Sequence, residues 1–330
     1  MYQRVFRVIF IIVIVALLGK SCIVKDVPSV DEKVSVTQNT PLTFTYPEPI
    51  NKTINGIDYL QSTAPVGNFG GEFIASTIGQ GPKTFNPFNC KDNISQTMAG
   101  VMYDGLLTTD PISGQPTPKL AKSFKILPDG KTYIVNLRHG IKWSDGKPIT
   151  ADDVVFTWND IILAGLGDTS TRDSMVIDDK LPTVKKIDNY TVEFVTPKPF
   201  APFVRLLSAS IAPKHVFADA VKKGGTYFDS FLSTTTKPKD FVVSGAFKLK
   251  EYIPAQRVVF ERNPNYYEIN TKNQKLPYLD KLVYLIVGDL NNEVLKFEAK
   301  EIDVITLQGS KVARYKALEP HSDFTLYNLG

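Results

Sequence analysis

Apolar and polar residues alternate from Thr132 to Leu137 in a run rich in β-formers, the pattern of a half-buried strand. Residues 124–127 precede it, and Pro128-Asp129-Gly130 between them is a strong turn signal, so the two runs predict a hairpin. After Trp143-Ser144-Asp145-Gly146 the period changes. Val154, Val155, Trp158, Ile161 and Ile162 recur at helical spacing and predict one buried face. Thr150 stands at the N-cap with Asp153 three residues on, a capping box, and Asp152 and Asp153 favour the positive end of the helix.

Similar patterns run along the rest of the chain. Residues 71–76 predict a first strand and residues 79–88 a loop. A helix over 95–103 follows, capped by Ser95, with Met98, Val101 and Met102 on its apolar face. Residues 183–196 alternate around Asp188-Asn189 and predict a second hairpin. A helix is expected over 201–207, a continuous apolar strand over 282–287, a helix over 291–301 and a strand over 301–305. Residues 23–69 are polar and weakly patterned; they predict a tether, with order beginning near Gly70.

The N-terminus carries a different pattern. Arg4 and Arg7 precede an apolar run from Val8 to Leu18, and Gly19-Lys20-Ser21-Cys22 follows. Eleven apolar residues are too few for a helix spanning ~30 Å of hydrocarbon, which takes about 20. A positive start, a short apolar core and small residues before a cysteine read as a bacterial lipoprotein signal over residues 1–22, with Cys22 lipidated. Lys20 departs from the small residue usual at its position, and an uncleaved signal anchor is the alternative. Either way the body is expected to be exported and held at a bacterial membrane. Cys90 is then the lone remaining thiol, which excludes an internal disulfide and suits a small buried apolar residue.

Composition adds bounds rather than identity. The 330 residues are 43% hydrophobic and 22% charged, ample for a core and two domains. A net charge of +4 with mixed signs points to no nucleic-acid partner. His139, His215 and His321 are isolated from other ligand-type residues, so neither a metal nor a cofactor is expected. The pair Asp152-Asp153 is explained by capping, and Asp178-Asp179 lies in a polar loop, so neither forms the facing carboxylates of a glycosidase. No nucleophile elbow or phosphate loop is present. No catalytic residue is expected.

The signature stretch from Pro116 to Ile162 closely resembles that of the family-5 extracellular solute-binding proteins, the peptide, dipeptide and nickel receptors that feed ABC importers. The matching pieces are PKLAKSF from Pro118, LRHGIKWSDG from Leu137 and TADDV from Thr150. Further matches are the loop ending at Asn86-Pro87, the step VVSGAFKLKEY from Val242 and VVFERNPNYY from Val258. The resemblance covers about Gly70 to Gly330.

It implies an α/β, periplasmic-binding-protein-like fold of the type II, large peptide-receptor class. A first lobe over 70–305 would hold an inserted small subdomain at about 88–200, and 306–330 would begin an incomplete second lobe. The chain stops where that lobe should be starting, so a fragment, a split gene product or a remnant is expected, with a separately encoded second lobe as one partner. Other implied partners are a peptide ligand, the ABC permease and the membrane, through the lipid anchor. The resemblance places Gly81, Lys83 and Thr84 in one loop facing the interlobe cleft, and Val243, Ser244, Gly245 and Phe247 in another. Exposed backbone there would hold an extended peptide as an added strand; turn-making glycines are the plainer alternative. A nickel or haem receptor of the same family, a non-binding interaction protein and an exported hydrolase are the rival readings.

Overall fold

The computed structural model describes residues 7–11, 49–110 and 113–328. The chain divides into two compact units, Pro47–Ile305 and Met1–Tyr46 with Thr306–Gly330.

The larger unit is α/β. Its main sheet has the strand order Phe247–Ile253, Arg257–Arg262, Lys281–Val287, Glu72–Ile78. The first two pairings are antiparallel and the last is parallel. The apolar run expected as a buried strand is therefore an interior strand with a neighbour on each side. A second sheet has the order Ala121–Ile126, Thr132–Leu137, Thr191–Val195, Thr183–Asp188. Both expected hairpins are present in it. Its free edge at Thr183–Asp188 is partly covered by the signature helix, where the Asn159 amide donates to Val184 O and Lys186 pairs with Asp152.

The signature helix begins at Ala151 with the expected capping box on Thr150 and Asp153. From Thr157 to Ile162 it widens into a π-helix. In its first residue the Thr157 hydroxyl donates to Asp153 O at 2.7 Å, beside the Thr157 N–H that donates to the same carbonyl, and accepts from the Ala212 N–H at 2.9 Å. Trp158 is fully buried, 5.0 Å between ring centroids from Phe194 and 5.9 Å from Phe203.

Two expectations require correction. Residues 50–61, placed in the tether, form a hairpin of Ile50–Ile54 and Ile57–Gln61. Asn55-Gly56 makes the turn with both φ angles positive, the type I′ chemistry that specifies a two-residue hairpin. The first helix runs Asn93–Met102 and is capped by Asp92 rather than Ser95. Asp92 accepts from both the N–H and the hydroxyl of Ser95, and that hydroxyl accepts in turn from the Lys83 N–H.

A polar cluster joins these parts. The Lys119 ammonium pairs with Glu268 and donates to the Tyr266 hydroxyl, while the Tyr267 hydroxyl donates to Asp104 at 2.8 Å. Arg138, fully buried, donates from Nε to Lys119 O and from Nη1 to Asn51 in the unexpected hairpin. Asp58 of the same hairpin accepts from Thr53, from the His139 N–H and from Lys122.

A three-stranded sheet has the order Val304–Leu307, Arg7–Ile11, Phe324–Asn328. Arg7–Ile11 runs parallel to Phe324–Asn328. The helix Gly309–Leu318 places Tyr315 against Phe324. Arg7–Ile11 belongs to the expected export signal; the rest of that signal, with Cys22, lies outside the described residues.

Trp158→Ala should cost about 3–5 kcal/mol in denaturant unfolding, the range for a large buried aromatic. Asp153→Ala should cost about 1–3 kcal/mol rather than the few tenths of an ordinary helix-start acid, because the Thr150 and Lys214 N–H groups lose their acceptor in a buried place. A loss under about 1 kcal/mol for Trp158→Ala would contradict the packing described.

Asp58 generates a pH test. Burial acts to raise its carboxyl, but the Thr53 hydroxyl, the His139 N–H and the Lys122 ammonium outweigh burial and hold it below the usual 3.8. A lowered folded value means that its stabilisation is complete above the unfolded value and disappears as pH falls through the folded one. Urea unfolding of wild type and Asp58→Asn should differ most near neutral pH, with the gap closing toward about pH 2. A gap independent of pH would show that the charge contributes nothing.

Candidate functional site

The helix Asn93–Met102 is the element around which both sequence-predicted loops gather. At its N-terminal end, the Ser95 hydroxyl accepts from the N–H groups of Lys83 and Thr84 at 2.9 and 3.4 Å. Gly81 takes φ +89°, and a Cβ there would stand 2.7 Å from Ile286 and 3.3 Å from the Tyr252 hydroxyl. Phe85 then packs edge-on against Phe241 and Tyr252.

At the C-terminal end, the Gly245 N–H donates to Met102 O at 2.7 Å, and the Ser244 hydroxyl accepts from the Asp104 N–H at 2.9 Å. A Cβ on Gly245 would stand 2.6 Å from Val101 O, so close packing on the helix end requires glycine there. Val243 exchanges bonds with Ser144 through both its N–H and its C=O. Val243, Ser244, Gly245 and Phe247 are buried, as are Gly81 and Thr84; Lys83 is exposed. The structure thus ties Lys83 and Thr84 to one end of this helix and Ser244 and Gly245 to the other, with Gly81, Val243 and Phe247 packed in the same two segments.

A cavity of about 390 Å³ lies along the same helix. Gln96, Ala99 and Gly100 of the helix form one wall, Pro87, Phe88 and Cys90 a second. Ile162 and Leu166, at and beyond the end of the π-helix, lead to Asp168, Ser170 and Thr171, and Ser208, Ala209 and Ser210 close the ring. Phe88, Cys90, Ala99 and Ile162 are buried and give an apolar floor, while the remaining polar groups lie nearer the rim. Its volume, with an apolar floor and a polar rim, fits a small-ligand site. A wider cavity of about 630 Å³ is built from the single stretch 216–240 and needs no convergence of distant segments. The cavity on the helix is therefore the candidate site.

None of the seven predicted residues lines it. Sequence reasoning missed its walls because they come from three stretches far apart in the chain, each an ordinary polar loop or helix face. The signal available was the unexplained Ser-Ala-Ser at 208–210 and the glycine-rich loop 165–168. Gly167 has φ +74°, and a Cβ there would stand 2.3 Å from Asn89 Oδ1 and Phe88 O.

The thiol in the cavity wall is held unreactive. Burial, with the Asp92 and Asp168 charges, pushes the Cys90 thiol up to about 12, so it stays neutral and weakly nucleophilic. Its Sγ donates to Asn86 O. Among the described residues, no three His, Cys, Asp or Glu side chains converge on a metal position, and no helix is long and apolar enough to cross a membrane.

Residues 115–325 match the family described as bacterial extracellular solute-binding proteins, family 5 middle. A probable ABC transporter-binding protein of Deinococcus radiodurans is 31% identical over 84% of this chain and 46% of its own length. The periplasmic oligopeptide-binding protein OppA of Salmonella typhimurium is 31% identical over 62% of this chain and 37% of its own. Among solved structures, the oligopeptide-binding protein AppA of Bacillus subtilis, in complex with a nonapeptide, aligns with a TM-score of 0.61 at 28% identity, over 76% of this chain and 46% of that one. The chain spans less than half the length of each of these three proteins.

Proposed function

The chain belongs to the family 5 bacterial extracellular solute-binding proteins, and we propose that it acts in an ABC importer by binding short peptides noncovalently. The observation that carries this reading is the apolar-floored cavity on helix Asn93–Met102, built from three distant segments. The names of OppA and AppA, both oligopeptide-binding proteins, support peptides over other solutes. The cavity would take ligand side chains, and backbone near its rim would hold an extended main chain, a mode that needs accessible N–H and C=O groups rather than special side chains. Gly81, Lys83, Thr84, Val243, Ser244, Gly245 and Phe247 serve this site by fixing the helix at its two ends. The ligand-loaded form would dock on the permease, with no chemical step.

Gly100 offers a direct test. It lines the cavity, and a Cβ there would meet no heavy atom within 4 Å. Gly100→Trp should fill the space and lower affinity for a mixed di- to pentapeptide pool by at least about tenfold in calorimetry. Stability should hold or rise, since glycine is a poor helix former. Unchanged affinity in a folded variant would remove the cavity from the binding reading.

Export and anchoring belong to the same proposal. Cys22 would carry the lipid, on the strength of the short apolar segment ending at Gly19-Lys20-Ser21. Mass spectrometry of the mature protein should find an acylated cysteine at its N-terminus, and Cys22→Ala should release the protein from membranes. A mature chain that retains the apolar run from Val8 to Leu18 would refute lipidation at Cys22.

A further inference from the structure

We infer that Asp168 selects ligands that carry a positive charge into the cavity on helix Asn93–Met102; this rests on the solute-binding reading above. Asp168 is the charged side chain in the cavity wall, and neither lysine nor arginine lines it. Its carboxylate has no ion-pair partner among the described residues. Its position is fixed before any ligand arrives. The Asp168 N–H donates to Phe88 O at 2.6 Å, and Oδ1 accepts from the Ser170 N–H at 2.8 Å. Gly167, which no residue with a side chain could replace at that contact, presses the loop onto Asn89.

No other side chain lining the cavity neutralises this charge. The hydroxyls of Ser170, Thr171, Ser208 and Ser210 can donate or accept but are uncharged. Asp92 adds a second negative charge near Cys90, on whose thiol both carboxylates act. Lys91 is exposed and does not line the cavity. A carboxylate half-removed from water beside an apolar floor gains from a cationic partner and repels an anionic one. The ligand class that fits is a peptide with a lysine or arginine side chain seated in this cavity. Recognition would be a charge-assisted hydrogen bond to the carboxylate oxygen left over from Ser170.

Calorimetry of the full chain with Ala-Lys-Ala, Ala-Arg-Ala, Ala-Ala-Ala and Ala-Glu-Ala tests this, since the four share their termini and differ in one side chain. The basic peptides should bind at least about tenfold more tightly than the acidic one. That ratio should shrink as salt is raised. In Asp168→Asn, which keeps an oxygen acceptor for Ser170, it should fall toward about one. Equal affinities for basic and acidic peptides in wild type would overturn the inference whatever the variant does. A ratio that survives in Asp168→Asn, with thermal melting unchanged, would assign the selectivity elsewhere and also overturn it. Failure of all four peptides and of the mixed pool to bind would defeat the peptide reading itself, an outcome distinct from binding without charge preference.

Discussion

An ammonium group taken out of water dictates the architecture around Lys119. Its net effect is a Lys119 held above its usual value: burial opposes the charge, but Asp104 and Glu268 more than restore it. The same crowding, led by burial, pushes Tyr266 and Tyr267 well up, so both keep their protons and donate to carboxylates. Breaking such a cluster at one member leaves an uncompensated charge, typically a loss of about 3–5 kcal/mol. Four separate segments must therefore converge: the turn at Asp104, the strand end at Lys119, the return strand end at Arg138 and the Tyr266–Glu268 stretch. The cation of Arg138 adds a tie to Asn51 and lies 5.9 Å from the Tyr267 ring centroid.

This cluster also sets the cavity walls. Asp104 sits just past the helix Asn93–Met102, and its carbonyl accepts from the Ile211 N–H. Gly105 bridges to Ser210, and a Cβ on it would stand 2.3 Å from Ser208 O. Holding Asp104 thus holds both the helix wall and the wall at 208–210. The π-helical turn supplies the third wall through the same neighbourhood, because the Thr157 hydroxyl at its start accepts from the Ala212 N–H. Unusual helical turns of this kind are common beside functional sites, where they re-aim side chains at a local cost.

The amphipathic periods, the capping box on Thr150 and the turn at Pro128-Asp129-Gly130 were legible in the chain, because each depends on neighbours a few residues away. The same local logic was available at Asn55-Gly56, where a type I′ hairpin signal lay inside a stretch that composition marked as a tether. At the first helix, the expected cap Ser95 lies inside the helix, three residues after the actual cap Asp92. Asp92 prevails because Ser95 is buried and its hydroxyl is taken by the N–H groups of Lys83 and Thr84.

The sequence by itself determined the family, the α/β class, the two hairpins of the second sheet and the capped signature helix, since their codes are short-range patterns of burial, capping and turn geometry. It also marked the two glycine-bearing loops, of which the one at Gly245 lies against the helix end by close backbone approach. Only the tertiary structure decided which side chains share a cavity. Phe88, Gly100, Leu166, Asp168 and Ser210 have no periodic relation, and nothing in their local sequence opposes a solvated loop. They meet through ties between residues far apart in the chain: Ile211 N–H to Asp104 O, Asp168 N–H to Phe88 O and the Ala212 N–H to the Thr157 hydroxyl.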